Sequence, residues 1–140
     1  MDAQWKRIEA IIGGEARTFK SSVAAFYEHL LGALELPCEV TGIEDFNWEE
    51  RYVFGVGDPE EYKRLKKKQP SYEDRYDLLA IEQGAYSEWM PIGDDIGALV
   101  KRKSDGKEFC LGLSELKAVG RKSPKKQLLD DFGLFFANSR

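Results

Sequence analysis

An Asp-Gly pair between two apolar runs constrains this chain more than any other feature. Ile96 to Lys103, then Ser104-Asp105-Gly106-Lys107, then Glu108 to Leu113 reads as a β-hairpin, because Asp-Gly supplies the positive φ angles that a tight turn needs. A short helical turn is expected at Ser114-Glu115-Leu116-Lys117, leading to Gly120. The last segment has helix grammar, with Ser123 as cap, Pro124 at the first position, and Leu128, Leu129, Phe132, Phe135 and Phe136 at three-and-four spacing. That apolar face predicts docking onto the core.

The beginning of the chain is helical in pattern. Trp5, Ile8, Ile11 and Ile12 recur at helical spacing until Gly13-Gly14 breaks it. Phe19, Val23, Phe26, Tyr27, Leu30, Leu31 and Leu34 then share one face of a second helix, begun by Ser21 or Ser22 and stopped by Pro37. Cys38 to Ile43 and Tyr52 to Val56 have strand spacing. Asp58-Pro59-Glu60-Glu61 is a strong helix start, with Asp58 as cap, for a helix reaching about Lys68. Asp77 to Glu82 reads as a strand, or equally as a buried helical turn. Residues 1–140 are expected to form one α+β domain, helical over 1–36 and sheet-rich with a closing helix over 37–140.

Composition narrows the function classes. With 42% hydrophobic and 33% charged residues the chain is globular, and 140 residues suffice to bury about two-thirds of the unfolded surface. Twenty-one basic against twenty-five acidic residues leave a net charge of -4, which argues against nucleic acid and permits cations. Cys38 and Cys110 are isolated and fit a reducing compartment. Neither a secretory signal nor a membrane-spanning run is evident, so a cytoplasmic location with no membrane partner is expected.

The chain offers little for catalysis. His29, the single histidine, reads as a helix-surface residue, and no nucleophile signature surrounds it or either cysteine. Gly55-Val56-Gly57 lacks the third glycine of a dinucleotide fingerprint. Zinc, metalloprotease and EF-hand motifs are absent, so no enzyme is expected. The basic run Lys63-Arg64-Leu65-Lys66-Lys67-Lys68 and the separate Lys101-Arg102-Lys103 read as solvated faces.

Carboxylates cluster instead. Glu44, Asp45, Glu49 and Glu50 flank Trp48, Glu73, Asp74 and Asp77 form a second group, Asp94-Asp95 a third, and Asp130-Asp131 a fourth. Calcium takes six to eight oxygens, which loops converge more easily than strands. Asp94 and Asp95 are the most suggestive pair, since Gly93 and Gly97 loosen the backbone around them, although an Asp pair after Pro91 is also an ordinary turn device.

The stretch from Gly93 to Phe109, then Leu113-Ser114-Glu115-Leu116, then Leu128-Leu129-Asp130-Asp131-Phe132 with Phe135-Phe136-Ala137-Asn138, resembles the CcbP-type bacterial calcium-binding protein family. Phe26 to Leu31 and Leu36 to Gly42 extend the resemblance, as a diffuse pattern, over about residues 20 to 140. It implies a cytoplasmic protein that binds calcium ion without an EF-hand, as a buffer or regulator, on a small antiparallel, partly barrel-like sheet flanked by helices. The positions it points to are Glu49, Glu50, Asp94 and Asp95, with Asp130 and Asp131 as further candidates. The alternative is a non-enzymatic module with an SH3-like barrel that binds a protein partner through Trp48, Tyr52, Tyr86 and Trp89.

Overall fold

The computed structural model describes residues 2–13 and 17–139. Its elements run α1 (Ala3–Ile12), α2 (Phe19–Ala33), β1 (Cys38–Gly42), a 3-10 turn (Asn47–Glu49), α3 (Glu50–Val53) and α4 (Pro59–Leu65). Then follow β2 (Arg75–Glu82), β3 (Gly97–Arg102), β4 (Glu108–Gly112), a second 3-10 turn (Leu113–Glu115), β5 (Leu116–Ala118) and α5 (Pro124–Ser139). Gly14, half of the expected glycine break, lies outside the described residues.

The fold is α+β, an antiparallel sheet in the order β4-β3-β2-β1-β5 with helices from both ends of the chain. The sheet is open. After β4 the chain turns through Leu113–Glu115, and β5 pairs with β1 instead of closing against β4, which leaves both at the edges. Period-two alternation sends Val40, Leu78, Val100 and Leu111 into the core from four strands. The helices supply the facing layer: Phe26 of α2 meets Phe132 and Phe135 of α5 with ring centroids 5.4 and 5.2 Å apart, and Phe19 stacks on Phe135 at 5.7 Å.

Four local expectations change; one is that α4 ends at Leu65 and passes into a turn, where the helix is expected to reach about Lys68. The apolar run Tyr52 to Val56 is not a strand but α3 and the turn after it: it pairs with none of the described strands, and Tyr52 instead stacks on Tyr62 of α4, 5.0 Å between centroids and 6° between planes. Thr18, not Ser21 or Ser22, caps α2, while Ser21 completes the reciprocal capping box. The helical turn expected from Ser114 begins one residue earlier, and its last two residues belong to β5.

One side chain locks the hairpin to the rest. Arg102 lies inward by the same alternation as Ala98 and Val100, and is 2% exposed. Its guanidinium donates to Asp105 Oδ1 and Oδ2 at 3.1 and 2.8 Å, to Asp74 Oδ2 at 2.9 Å, and to the carbonyls of Lys66, Lys67 and Gln69 at 3.2, 2.9 and 2.9 Å. The ring of Phe109 lies beneath it, 5.1 Å away. A guanidinium so far from water persists only because acceptors surround it. The hairpin tip, the end of α4 and the chain before β2 are therefore held as one unit.

Replacing Arg102 by Met leaves two carboxylates facing each other, and is expected to cost about 3 kcal/mol in urea unfolding. The Arg102 hydrogen bond holds the Asp105 carboxyl down from 3.8 to about 2. A depressed carboxyl stabilises the fold above its unfolded value and loses that contribution as pH falls through its folded one. The acid limb between about pH 4 and pH 2 should therefore flatten in Arg102→Met relative to the parent; identical acid limbs would contradict the assignment.

Candidate functional site

Glu49 ends the first 3-10 turn and is fully buried. Its Oε2 accepts from Ser71 Oγ at 2.6 Å and Tyr62 OH at 2.7 Å, and its Oε1 accepts from the Tyr72 N–H at 2.8 Å and, more weakly, the Phe46 N–H at 3.4 Å. Four donors occupy the lone-pair directions of one carboxylate. Burial, followed by the bond to Glu49, raises the Tyr62 hydroxyl far above its ordinary pKa, so it stays a donor. Trp48, next in the chain, donates Nε1–H to the Pro70 carbonyl at 2.6 Å and packs its ring against Tyr52 and Tyr62. Glu50, one residue on, opens α3 and is exposed.

The Asp94-Asp95 pair is divided in the same way. Gly93 takes φ 54° and the turn points Asp94 outward, whereas Asp95 is 7% exposed. Asp95 accepts from the Ile96 N–H at 2.7 Å and from Ser114 Oγ at 2.6 Å, with the Ser114 N–H at 3.3 Å from both oxygens. It ties the start of β3 to the turn after β4. A Cβ on Gly112 would come within 2.6 Å of its Oδ2.

On α5 the pattern recurs. Asp131 is 1% exposed and accepts a two-pronged pair from Arg7 of α1, Nε at 2.9 Å and Nη2 at 3.1 Å. Asp130 faces a different way, half-buried, with Lys126 Nζ 3.4 Å away one helical turn earlier.

Each adjacent acid pair thus consists of one buried carboxylate held by protein donors and one that reaches water. The six candidates occupy three separate regions: the α3 start, the turn before β3, and α5. Among the described residues no three His, Cys, Asp or Glu side chains form a group able to hold a metal ion. The buried members do not fit calcium, since their oxygens already face N–H and O–H donors. Glu50, Asp94 and Asp130 fit by exposure alone. Of the residues whose bonds link the Glu49 site to the hairpin, the sequence reading does not single out Ser71, Asp74 stands only in the second acidic group, and Arg102 reads as part of a solvated face, whereas it is buried; the inward alternation of Ala98, Val100 and Arg102 is the signal that marks the arginine.

Other sequence candidates for chemistry are also placed. His29 lies exposed on α2, and burial raises the thiol pKa of Cys38 and of Cys110, as for unreactive cysteines.

No protein-family model and no curated protein matches the chain. Solved structures do. The crystal structure of Anabaena CcbP superposes with a TM-score of 0.60 at 15% identity, over 98% of this chain and 92% of that one. A calcium-binding protein in its calcium-binding form does so with a TM-score of 0.59 at 16% identity, over 98% and 91%. The chain therefore has a CcbP-type fold.

Glu49→Gln removes the charge and sets an amide N–H₂ either against the two backbone N–H groups or against the Ser71 and Tyr62 hydroxyls, which must then turn from donating to accepting. The expected loss is about 2–3 kcal/mol in denaturant unfolding, without added metal. Loss of the same size in Glu50→Gln would show that burial does not separate the two residues.

Proposed function

We propose that this chain is a non-enzymatic calcium-binding protein, a buffer or regulator of free ion, whose ligands are gathered on binding. The observation that carries the reading is the fold shared along nearly the whole chain with two proteins described as CcbP and as calcium-binding. The outward acid of each pair supports it, being free of the donors that hold its neighbour. Asp94 is the preferred ligand, because the turn around Gly93 leaves it exposed while Asp95 keeps its anchor to Ser114. Glu50 and Asp130 are further candidates, and each would need additional oxygens from water.

A shell that must be assembled loses affinity to ordering. Calcium is expected to bind at about 0.1 to 1 mM, the range of weak sites, not that of sensor EF-hands. The alternative, an interaction module on an SH3-like barrel, loses its scaffold in the open sheet. Of its four aromatic candidates, Trp48, Tyr52 and Trp89 are half-buried among other rings, and Tyr86 alone is mostly exposed, at 81%.

Isothermal titration at low salt separates the two members of the preferred pair. Asp94→Asn should weaken or abolish calcium heat and leave the melting temperature without metal unchanged. Asp95→Asn should lower that melting temperature. Heat no larger than the buffer blank up to millimolar calcium would sink the calcium reading.

A further inference from the structure

The connector from α3 to α4 exposes what a folded surface usually hides. Val53, Phe54 and Val56 are 41%, 70% and 76% exposed. Their turn is not slack: the Phe54 N–H donates to the Glu50 carbonyl, that of Gly55 to Tyr52, and those of Val56 and Gly57 to Arg51, all at 2.9 to 3.1 Å. Gly55 holds φ at 79°, and a Cβ on Gly57 would sit 2.5 Å from the Tyr52 ring, so one glycine is needed for conformation and the other for space. A fixed backbone holds the apolar tip out in water.

α4 continues from this tip as a cationic stripe. Glu61, Tyr62 and Leu65 are turned inward, while Lys63, Arg64, Lys67 and Lys68 are exposed at the spacing of one helical face, carried into the turn that follows. Arg51 lies over the Tyr52 ring, 5.5 Å from its centroid, and the same ring stacks on Tyr62 of α4, which places the stripe beside the tip. Lys107 of the hairpin joins the far end, donating to the Lys67 carbonyl at 3.1 Å. The Arg102 clamp thus brings Lys107 to a basic run that lies far from it in sequence.

The carboxylates of this region are mostly engaged. Glu61 accepts from Tyr52, Glu73 pairs with Lys66, Asp77 with Lys103, and Asp74 and Asp105 with Arg102. Among the described residues no carboxylate lies within 4.0 Å of the ammonium groups of Lys67, Lys68 or Lys107. Glu60, at the head of α4, is the exposed acid on the stripe, with Glu50 and Asp58 flanking the tip and Glu108 beyond the hairpin turn.

We propose that this face docks on an anionic phospholipid surface, Phe54 and Val56 entering the headgroup boundary and the stripe lying over it. A flat polyanion with an apolar layer beneath complements both halves of the face. Single-stranded nucleic acid fits less well, because its binding leans on several exposed rings in succession, whereas this face exposes Phe54 and keeps Tyr52 and Tyr62 half-buried against each other. The net charge of -4 does not oppose docking, since charges beyond about 8 Å are screened and the local ones decide. No described helix is long and apolar enough to cross a membrane, so attachment is peripheral. This docking goes beyond the calcium reading and does not depend on it.

The test is co-sedimentation of the full chain, in EDTA, with vesicles of phosphatidylcholine alone or with about one third phosphatidylglycerol. Capture is expected with the mixed vesicles only, and release at about 0.5 M salt. Lys63→Glu, Lys67→Glu and Lys68→Glu together should lower partitioning at least about a hundredfold. Phe54→Ser with Val56→Ser should lower it about tenfold. Glu60→Lys should raise it, and Lys6→Glu with Lys20→Glu on α1 and α2 should leave it unchanged, with thermal melts confirming that each variant is folded. Equal capture by neutral vesicles, no capture of the folded parent, or preference for a single-stranded oligonucleotide would overturn the proposal.

Discussion

A continuous polar chain that ties α3 and α4 to the hairpin end of the sheet organises much of this molecule. It runs from Glu49 to the Ser71 hydroxyl, from the Ser71 N–H to Asp74, and from Asp74 through Arg102 to Asp105. Two of its members, Glu49 and Arg102, carry charge with 0% and 2% exposure, a placement that costs several kcal/mol per ion unless every lone pair and proton is met. Each is met, and among the described residues no buried side-chain polar atom lacks a partner. Because the partners come from the 3-10 turn, α4, the start of β2 and the hairpin, the cost of burying those charges becomes a demand that these segments sit together.

The same logic explains the acid pairs. Two neighbouring carboxylates cannot both be buried without strong repulsion, and two on the surface add only charge. One of each kind gives an anchor and a solubilising group from adjacent positions. Glu49, Asp95 and Asp131 anchor respectively the α3 start, the β3 start and the α1–α5 contact. On the proposed calcium reading, an arriving ion would meet the outer partner first, and affinity would be set by how cheaply water and carbonyls complete the shell.

Much of the fold was legible in the sequence, and the reasons are local. Asp105-Gly106 announced the hairpin because φ at Gly106 is 75°, and Asp58-Pro59 announced α4 because the cap bond, Glu60 N–H to Asp58 at 3.1 Å, uses neighbouring residues. Ser123-Pro124 marked α5 for the same reason, with the Lys126 N–H donating to Ser123 at 3.2 Å. What escaped depends on distant partners. Tyr52 to Val56 has strand composition, yet Tyr62 and the lack of a neighbouring strand decide otherwise. Both basic runs read as solvated faces, which fails for Arg102 alone: its inward turn brings the hairpin tip, with Lys107, to the end of α4. The acid pairs were visible as pairs, but which member turns inward depends on Ser114, Arg7 and Tyr62, from 13 to 124 residues away.

The division of labour within those pairs is most directly tested by following backbone amides of the isotope-labelled chain by NMR during a calcium titration. Shifts confined to Gly93, Asp94 and their neighbours, with the Tyr72 and Ile96 amides still reporting intact bonds to Glu49 and Asp95, are the predicted result. Early, saturating shifts at Tyr72 and Ser71 would mean that Glu49 exchanges its protein donors for the ion, and would contradict the account.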